Sequence, residues 1–157
     1  MSYPSPPAGL AIEPRASAPR WRSSQRVVSI AVGATLVALL VTSAWLTPSS
    51  AGLGTHQQLG LPPCTVLDWF GIRCPSCGMT TSWAHMVRGQ VLAAARANAG
   101  GALLALAAAM CGPWLVASGV RGRWLIGRPA EEIVVVAGIT IIVVTLIQWT
   151  LRLSLGW

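Results

Sequence analysis

Three long stretches of this chain carry no charged side chain. They cover residues 27–46, 97–120 and 133–151. Each is about 19 residues or longer, and a helix of that length crosses roughly 30 Å of hydrocarbon. A single run of this kind is compatible with a buried helix of a soluble domain, but three runs predict three transmembrane helices. The pattern therefore predicts an all-α integral membrane protein.

The first stretch also has features of a signal peptide. Basic residues precede it, and small residues such as Ser49, Ser50 and Ala51 follow it like a cleavage site. Its apolar core is longer than the core of a typical signal peptide, which has about 7–15 residues. We therefore expect an uncleaved transmembrane anchor.

The segments between the predicted spans differ in length and composition. Residues 1–26 are rich in proline and arginine and are expected to form a disordered cytoplasmic tail. Residues 47–96 form a long external loop, and residues 121–132 form a short cytoplasmic loop. Residues 152–157 are expected to form a short C-terminal tail.

The arginines are distributed unevenly between the two ends of the predicted spans. Seven lie at one end: Arg15, Arg20, Arg22, Arg26, Arg121, Arg123 and Arg128. Four lie at the other end: Arg73, Arg88, Arg96 and Arg152. Cytoplasmic loops carry the excess of basic residues, so the N-terminus is predicted to be cytoplasmic and the residue 47–96 loop external.

A net charge of +7 is compatible with nucleic-acid binding, but membrane topology accounts for it, and we expect the lipid bilayer rather than nucleic acid as the partner. The chain has no lysine and is rich in alanine, arginine, glycine and proline, which is typical of GC-rich bacterial genomes. The expected location is the bacterial cytoplasmic (inner) membrane, as a multi-pass protein.

The external loop contains the residues with the clearest chemistry. Cys74 and Cys77 flank Pro75 and Ser76, Gly78 follows, and Cys64 lies ten positions before Cys74. Two thiolates separated by two residues reach one metal ion across a tight turn, and glycine after the turn adopts positive φ without a steric penalty. The sequence therefore predicts a metal site, most favourably zinc, with Cys64, Cys74 and Cys77 as ligands.

A structural zinc site has four ligands, so one more is expected. His85 is the favoured candidate, because it lies on the helix that follows the cysteines; His56 and Asp68 are weaker candidates. Cys111 stands inside the second span, where a thiol is usually a packing residue, and is excluded.

Two other uses of the same thiols remain open. A C-x-x-C pair with an internal proline resembles the dithiols of thiol–disulfide oxidoreductases, with Cys64 as resolving partner or electron shuttle. Alternatively, Cys64 forms a structural disulfide with Cys74 or Cys77 in a subunit that binds a membrane protein partner. No nucleophile, base and oxyanion set is recognisable, so a binding protein is favoured over an enzyme.

Helical patterns continue on both sides of the cysteines. A short amphipathic helix is expected after Gly78, capped by Thr80 or Thr81 and resting at the membrane interface. Small residues of the second span are expected to pack against neighbouring helices: Gly100, Gly101, Ala105 and Ala109. Pro113 should kink this span, and Gln148 is the one strongly polar residue of the third.

The order of several residues resembles the bacterial membrane family catalogued as domain of unknown function family 2752. The matching residues are Pro63-Cys64, Gly71, the run from Cys74 to Thr80, Arg88-Gly89 and Asn98. The chain differs at three positions, with Thr81, Gln90 and Ala99 where the family often has Arg, Asp and Pro. The resemblance implies that the three cysteines act together, and it implies no activity.

Overall fold

The computed structural model describes residues 21–155, and within that range all the regular secondary structure is helical. The helices are α1 (Ser23–Trp45), a 3₁₀ helix (Thr55–Leu59), α2 (Thr65–Phe70), α3 (Met79–Met86), α4 (Val91–Arg121) and α5 (Glu131–Leu155). α1, α4 and α5 are long and apolar enough to cross a membrane. This confirms the predicted all-α fold with three membrane-length helices.

The helices extend beyond the charge-free stretches. α1 begins at Ser23, so the last residues assigned to the disordered tail are helical. α5 continues to Leu155 and so includes most of the predicted C-terminal tail. The predicted disorder of residues 1–20 and residues 156–157 of the tail lie outside the described residues.

Arginine side chains bind the free carbonyl groups at the C-termini of two of the long helices. Arg26 donates to the carbonyl oxygens of Gly119 (3.1 Å) and Val120 (2.9 Å) at the end of α4. Arg88 donates to the carbonyl oxygen of Ala44 (3.0 Å) at the end of α1. A cation at this end of a helix also interacts favourably with the helix dipole.

Small residues bring α1 and α4 into close contact. A Cβ atom on Gly33 would lie 2.7 Å from the carbonyl oxygen of Gly112 and 2.8 Å from the backbone nitrogen of Val116. Such distances leave no room for a side chain, so the two backbones approach as in other small-residue membrane interfaces. Among the residues expected to pack, Gly100, Gly101 and Ala105 are buried, whereas Ala109 is exposed.

α3 lies between the first and second membrane-length helices, as predicted, but it is packed more deeply than an interfacial helix. Half of its residues are buried, and Trp83 packs against Ala105 and Ala108 of α4. Its N-cap is Gly78 rather than Thr80 or Thr81.

α5 differs from the other long helices because none of its residues is buried. Within the described residues its helix partner is α4. A Cβ atom on Gly100 of α4 would collide with Thr145, so the two helices pack closely at this level. The apolar residues of α5 are largely exposed, as expected of a helix with a lipid-facing surface.

α4 is broken at Asn98, not at the predicted position, Pro113. Asn98 has extended backbone angles (φ −166°, ψ 110°), whereas Pro113 lies inside the helix. The Oδ1 atom of Asn98 accepts a hydrogen bond from the backbone N–H of Gly101 (2.7 Å), which is the N-cap interaction. The break therefore starts a new helix, and the short segment before it leads from the loop that carries the cysteines.

Candidate metal centre

The residues from Cys74 to Gly78 form a tight turn, called the knuckle below. The backbone N–H of Cys77 donates to the carbonyl oxygen of Cys74 (3.0 Å), and the N–H of Met79 donates to that of Ser76 (3.1 Å). Gly78 has φ +86°, and a Cβ atom there would collide with the carbonyl oxygens of Ala97 and Gly52. Glycine is therefore required both by the turn and by the close packing of the knuckle against α4.

The knuckle brings the sulfurs of all three predicted cysteine ligands together. Cys74 Sγ lies 3.0 Å from Cys77 Sγ and 3.5 Å from Cys64 Sγ. All three sulfurs lie within 4.8 Å of one another, and each cysteine is free. Sulfurs bound to one tetrahedral zinc ion at about 2.3 Å would be separated by about 3.8 Å, so this spacing fits a shared metal ion.

Cys64 and Cys77 have different affinities for protons. The pKa of Cys64 is lowered to about 7, first by a hydrogen bond from the backbone amide of Leu67 and then by those from Cys74 and Cys77. Burial raises the pKa of Cys77 to about 12, and its hydrogen bonds with Cys74 and Cys64 add to the effect. Cys64 thus ionises at a lower pH than Cys77, and a metal ion would have to displace the proton of Cys77.

Asn98 holds the knuckle against the membrane-spanning bundle. Its Nδ2 atom donates to the carbonyl oxygens of Pro75 (3.0 Å) and Cys77 (3.3 Å). The side chain is 1% exposed, so these hydrogen bonds are made away from solvent. One buried amide therefore both caps the span helix and fixes the backbone between the two knuckle cysteines.

α5 supplies the polar groups that complete the break in α4. Gln148 Oε1 accepts from the backbone N–H of Ala99 (2.7 Å), and its Nε2 donates to the carbonyl oxygen of Ala95 (2.8 Å). Arg152 donates to the carbonyl oxygen of Ala97 (2.9 Å). Backbone groups released by a helix break inside a bilayer need such partners, and this accounts for the one strongly polar residue of the third span.

A further contact links α5 directly to the cysteines. Trp149 Nε1 donates to the carbonyl oxygen of Arg73, at 2.6 Å, immediately before Cys74. The knuckle is therefore held from two helices, by Asn98 of α4 and by Trp149 of α5.

Cys64 is carried by a different kind of structure. It is the N-cap residue of α2, and the segment of residues 61–72 around it is called the Cys64 arm below. No residue of α2 is buried, and within the described residues α2 packs against no other helix. Trp69 and Phe70 are 78% and 69% exposed, so the arm presents an apolar surface of the kind that lies at a membrane interface.

A cavity of about 270 Å³ lies beside the sulfurs. Its walls include the three cysteines, His56 and Gln57, and the beginning of α3. A pocket next to a set of soft ligands leaves space for a further ligand atom.

Neither the predicted fourth ligand, His85, nor the weaker candidate His56 belongs to the group of side chains whose ligand atoms lie within 4.8 Å of one another. His56 lines the cavity beside the sulfurs, and His85 is not part of its wall. His85 is farther along the chain. It lies in the last turn of α3, and a helix rise of 1.5 Å per residue places it about 10 Å along the axis from Gly78. Its Nδ1 atom hydrogen bonds to Gln90 Oε1 at 2.6 Å. Asp68 is exposed on α2, and Cys111 is exposed on α4.

Several residues that build the site were not predicted from the sequence. Asn98 was noticed as part of a family pattern, and Gln148 as a polar residue in a span, but neither was connected with the cysteines. Thr55 and Thr81 are fully buried and share a hydrogen bond of 2.8 Å, which joins the 3₁₀ helix to α3. The sequence signal that could have identified these residues is a polar side chain inside an otherwise apolar or loop segment. Such a side chain, once buried, requires a hydrogen-bond partner.

The family described as "Protein of unknown function (DUF2752)" matches residues 64–112. The matched region starts at Cys64 and extends through the knuckle and α3 into α4, and the matching family is the one that the sequence resembles. No curated protein and no solved structure matches the chain. The function must therefore be inferred from the chemistry of the site.

Proposed function

We propose that this protein binds a zinc ion through Cys64, Cys74 and Cys77, and that the ion is a structural element that fixes the external loop at the membrane surface. The observation that supports this most strongly is the convergence of three sulfurs on a turn whose backbone is anchored to the bundle. A single disulfide uses two cysteines and leaves the third without a role, whereas a metal ion uses all three.

The ion would serve mainly to attach the Cys64 arm. The knuckle is already held by Asn98 and Trp149, but the arm has no buried residue in α2. A bond from Cys64 to a shared ion would fix the arm with Trp69 and Phe70 exposed beside the bilayer. Such a surface suits docking to lipid headgroups or to a membrane protein partner.

The same proposal includes the membrane topology. Trp124, in the loop between α4 and α5, stacks on Trp114 (5.1 Å between ring centroids) and meets Trp21 edge to face (4.5 Å). This aromatic cluster lies at the arginine-rich end of the bundle, opposite the cysteines. Tryptophans mark a membrane interface and an excess of arginine marks the cytoplasmic one, so the metal site would face outward from a bacterial cytoplasmic membrane.

Metal analysis of detergent-purified protein tests the proposal. Purified without chelators, the protein should contain about one equivalent of zinc, and the variant with Cys64, Cys74 and Cys77 all changed to Ser should contain none. Cys111→Ala is the matched control and should retain the metal. Wild-type protein with less than about a tenth of an equivalent of zinc or any other transition metal would contradict the proposal.

A membrane thiol–disulfide oxidoreductase is the second candidate, favoured by the low pKa of Cys64 and the proximity of its sulfur to Cys74. The Cys64 thiolate would attack a disulfide of a partner protein, forming a mixed disulfide and releasing one partner thiolate. Cys74 would then attack the Cys64 sulfur, releasing the second thiol and leaving a Cys64–Cys74 disulfide. A thiol-trapping redox titration in which these cysteines never change oxidation state would exclude this reaction.

A further inference from the structure

Three cysteines leave one position of a tetrahedral metal site without a ligand from the protein. The cavity beside the sulfurs has His56 in its wall, together with Cys64, Cys74 and Cys77. His56 is therefore the histidine that shares a cavity with the metal-binding sulfurs, whereas His85 lies at the other end of α3.

The fold holds the segment containing His56 against the knuckle. Thr55, the preceding residue, is fully buried and its hydroxyl group lies 2.8 Å from that of Thr81 in α3. The same hydroxyl accepts a hydrogen bond from the backbone N–H of Ser49 (3.1 Å). In addition, the carbonyl oxygen of Gly52 packs against Gly78. These contacts fix the start of the 3₁₀ helix beside the cysteines.

One hydrogen bond defines the chemistry of the His56 ring. Its Nε2 atom lies 3.1 Å from the carbonyl oxygen of Pro62. A carbonyl oxygen only accepts, so Nε2 carries the proton, and Nδ1 of the neutral ring keeps the lone pair that a metal needs. Metal-binding histidines commonly have this arrangement, in which the second ring nitrogen donates to a backbone carbonyl.

The same hydrogen bond connects His56 to the Cys64 arm. Pro62 belongs to the arm and lies two residues before Cys64. A metal ion bound by both His56 and Cys64 would therefore close a small ring of chain containing the Pro62-Pro63 pair, whose fixed φ angles limit its freedom.

We propose that His56 is the fourth ligand, through Nδ1, and that the protein contains a closed site of three cysteines and one histidine. This inference rests on the three-cysteine metal site proposed above and adds a ligand to it. A site closed by four protein ligands is structural, because no position is left for water or a substrate.

The test uses full-length protein in detergent, loaded with Co²⁺ as a spectroscopic substitute for Zn²⁺, with zinc affinity measured by chelator competition. His56→Ala should change the cobalt absorption bands and lower zinc affinity at least about tenfold, because a nitrogen ligand is lost. His85→Ala is the matched control and should change neither. His56→Cys should restore a four-coordinate site, with stronger sulfur-to-cobalt charge-transfer absorption.

The outcomes separate this inference from the proposed function. If wild-type protein binds metal and His56→Ala has the wild-type spectrum and affinity, the inference is wrong and the three-cysteine site stands. The inference is equally wrong if the cobalt absorption bands and the zinc affinity change in His85→Ala. If His56→Ala loses the metal and His56→Cys does not recover it, His56 supports folding and is not a ligand. Absence of metal from wild-type protein would reject both the three-cysteine metal site and the assignment of His56 as its fourth ligand.

Discussion

The two parts of the chain that carry the cysteines are built differently. The knuckle is held from inside, since the buried Asn98 side chain binds its backbone carbonyl groups and Trp149 binds the carbonyl group of Arg73 immediately before it. The Cys64 arm has no buried residue in α2, and its polar contacts are the hydrogen bond between Pro62 and His56 and the contact of the Cys64 sulfur with Cys74. One half of the site is therefore preformed by the helix bundle, and under the proposed function the other half would depend on a bound ion.

The largest expected effect is loss of metal on removal of any one sulfur. Cys64→Ser, Cys74→Ser and Cys77→Ser should each lower zinc affinity more than about 100-fold, because changes to outer-shell partners alone cost 10–100-fold. Chelator competition on purified protein measures this loss, and Cys111→Ser should match wild type. Equal affinities for Cys64→Ser and wild type would show that the arm is not part of the site.

The stability of the protein should depend on Asn98 even without metal, because this residue anchors the knuckle. Asn98→Ala removes the donor to Pro75 and Cys77 and the cap of the span helix, and buried groups left without partners cost about 1–3 kcal/mol. We expect a loss of roughly 2–3 kcal/mol in the free energy of unfolding, measured by chemical denaturation of metal-free protein in detergent.

Asn98→Ser separates the two roles of this side chain. A serine oxygen can still accept from the Gly101 N–H, but it is too short to reach the knuckle carbonyl groups. This variant should therefore keep part of the stability and still bind metal more weakly than wild type. If Asn98→Ala is as stable as wild type and binds zinc equally well, Asn98 is not an anchor of the knuckle.

Metal removal should affect the two halves unequally. Amide hydrogen exchange with and without a chelator should show exchange in residues 61–72, the Cys64 arm, accelerated more than about tenfold on metal loss. Exchange in the knuckle and α3 should change much less, because both are packed against α4. Equal acceleration in both regions would mean that the metal organises the whole loop.

The smallest expected effect concerns the pH dependence of alkylation at the free thiols of Cys64 and Cys77. In reduced, metal-free protein, the Cys64 thiolate predominates above its pKa of about 7 and is protonated below it. Alkylation of Cys64 should therefore rise about tenfold between pH 6 and pH 8 and then level off. Cys77, with its pKa raised to about 12, should remain unreactive over this range. Half-maximal alkylation of Cys64 above pH 8 would contradict this assignment.

The fold was largely predictable because the membrane imposes simple rules on the sequence. Charge-free stretches of sufficient length identified three spans, and the spacing of Cys74 and Cys77 with glycine after them identified the turn. The convergence of Cys64 followed from the same motif, since the two prolines before it restrict the direction of the chain.

The break at Asn98 was not predictable from local patterns. Asn98 stands in a run of alanine and glycine that favours a continuous helix, and its partners lie far away in sequence, in the knuckle and on α5. The position of His56 in the wall of the cavity was not predictable for a similar reason. Closeness in sequence to Cys77 favoured His85, whereas the buried Thr55–Thr81 hydrogen bond brings the segment containing His56 to the cavity.

X-ray absorption at the zinc edge of the purified protein tests the central claim most directly. The account predicts three sulfur neighbours at about 2.3 Å and one nitrogen neighbour at about 2.0–2.1 Å. A zinc ion surrounded by oxygen and nitrogen alone, or by fewer than two sulfurs, would contradict the convergence of Cys64, Cys74 and Cys77 on one ion.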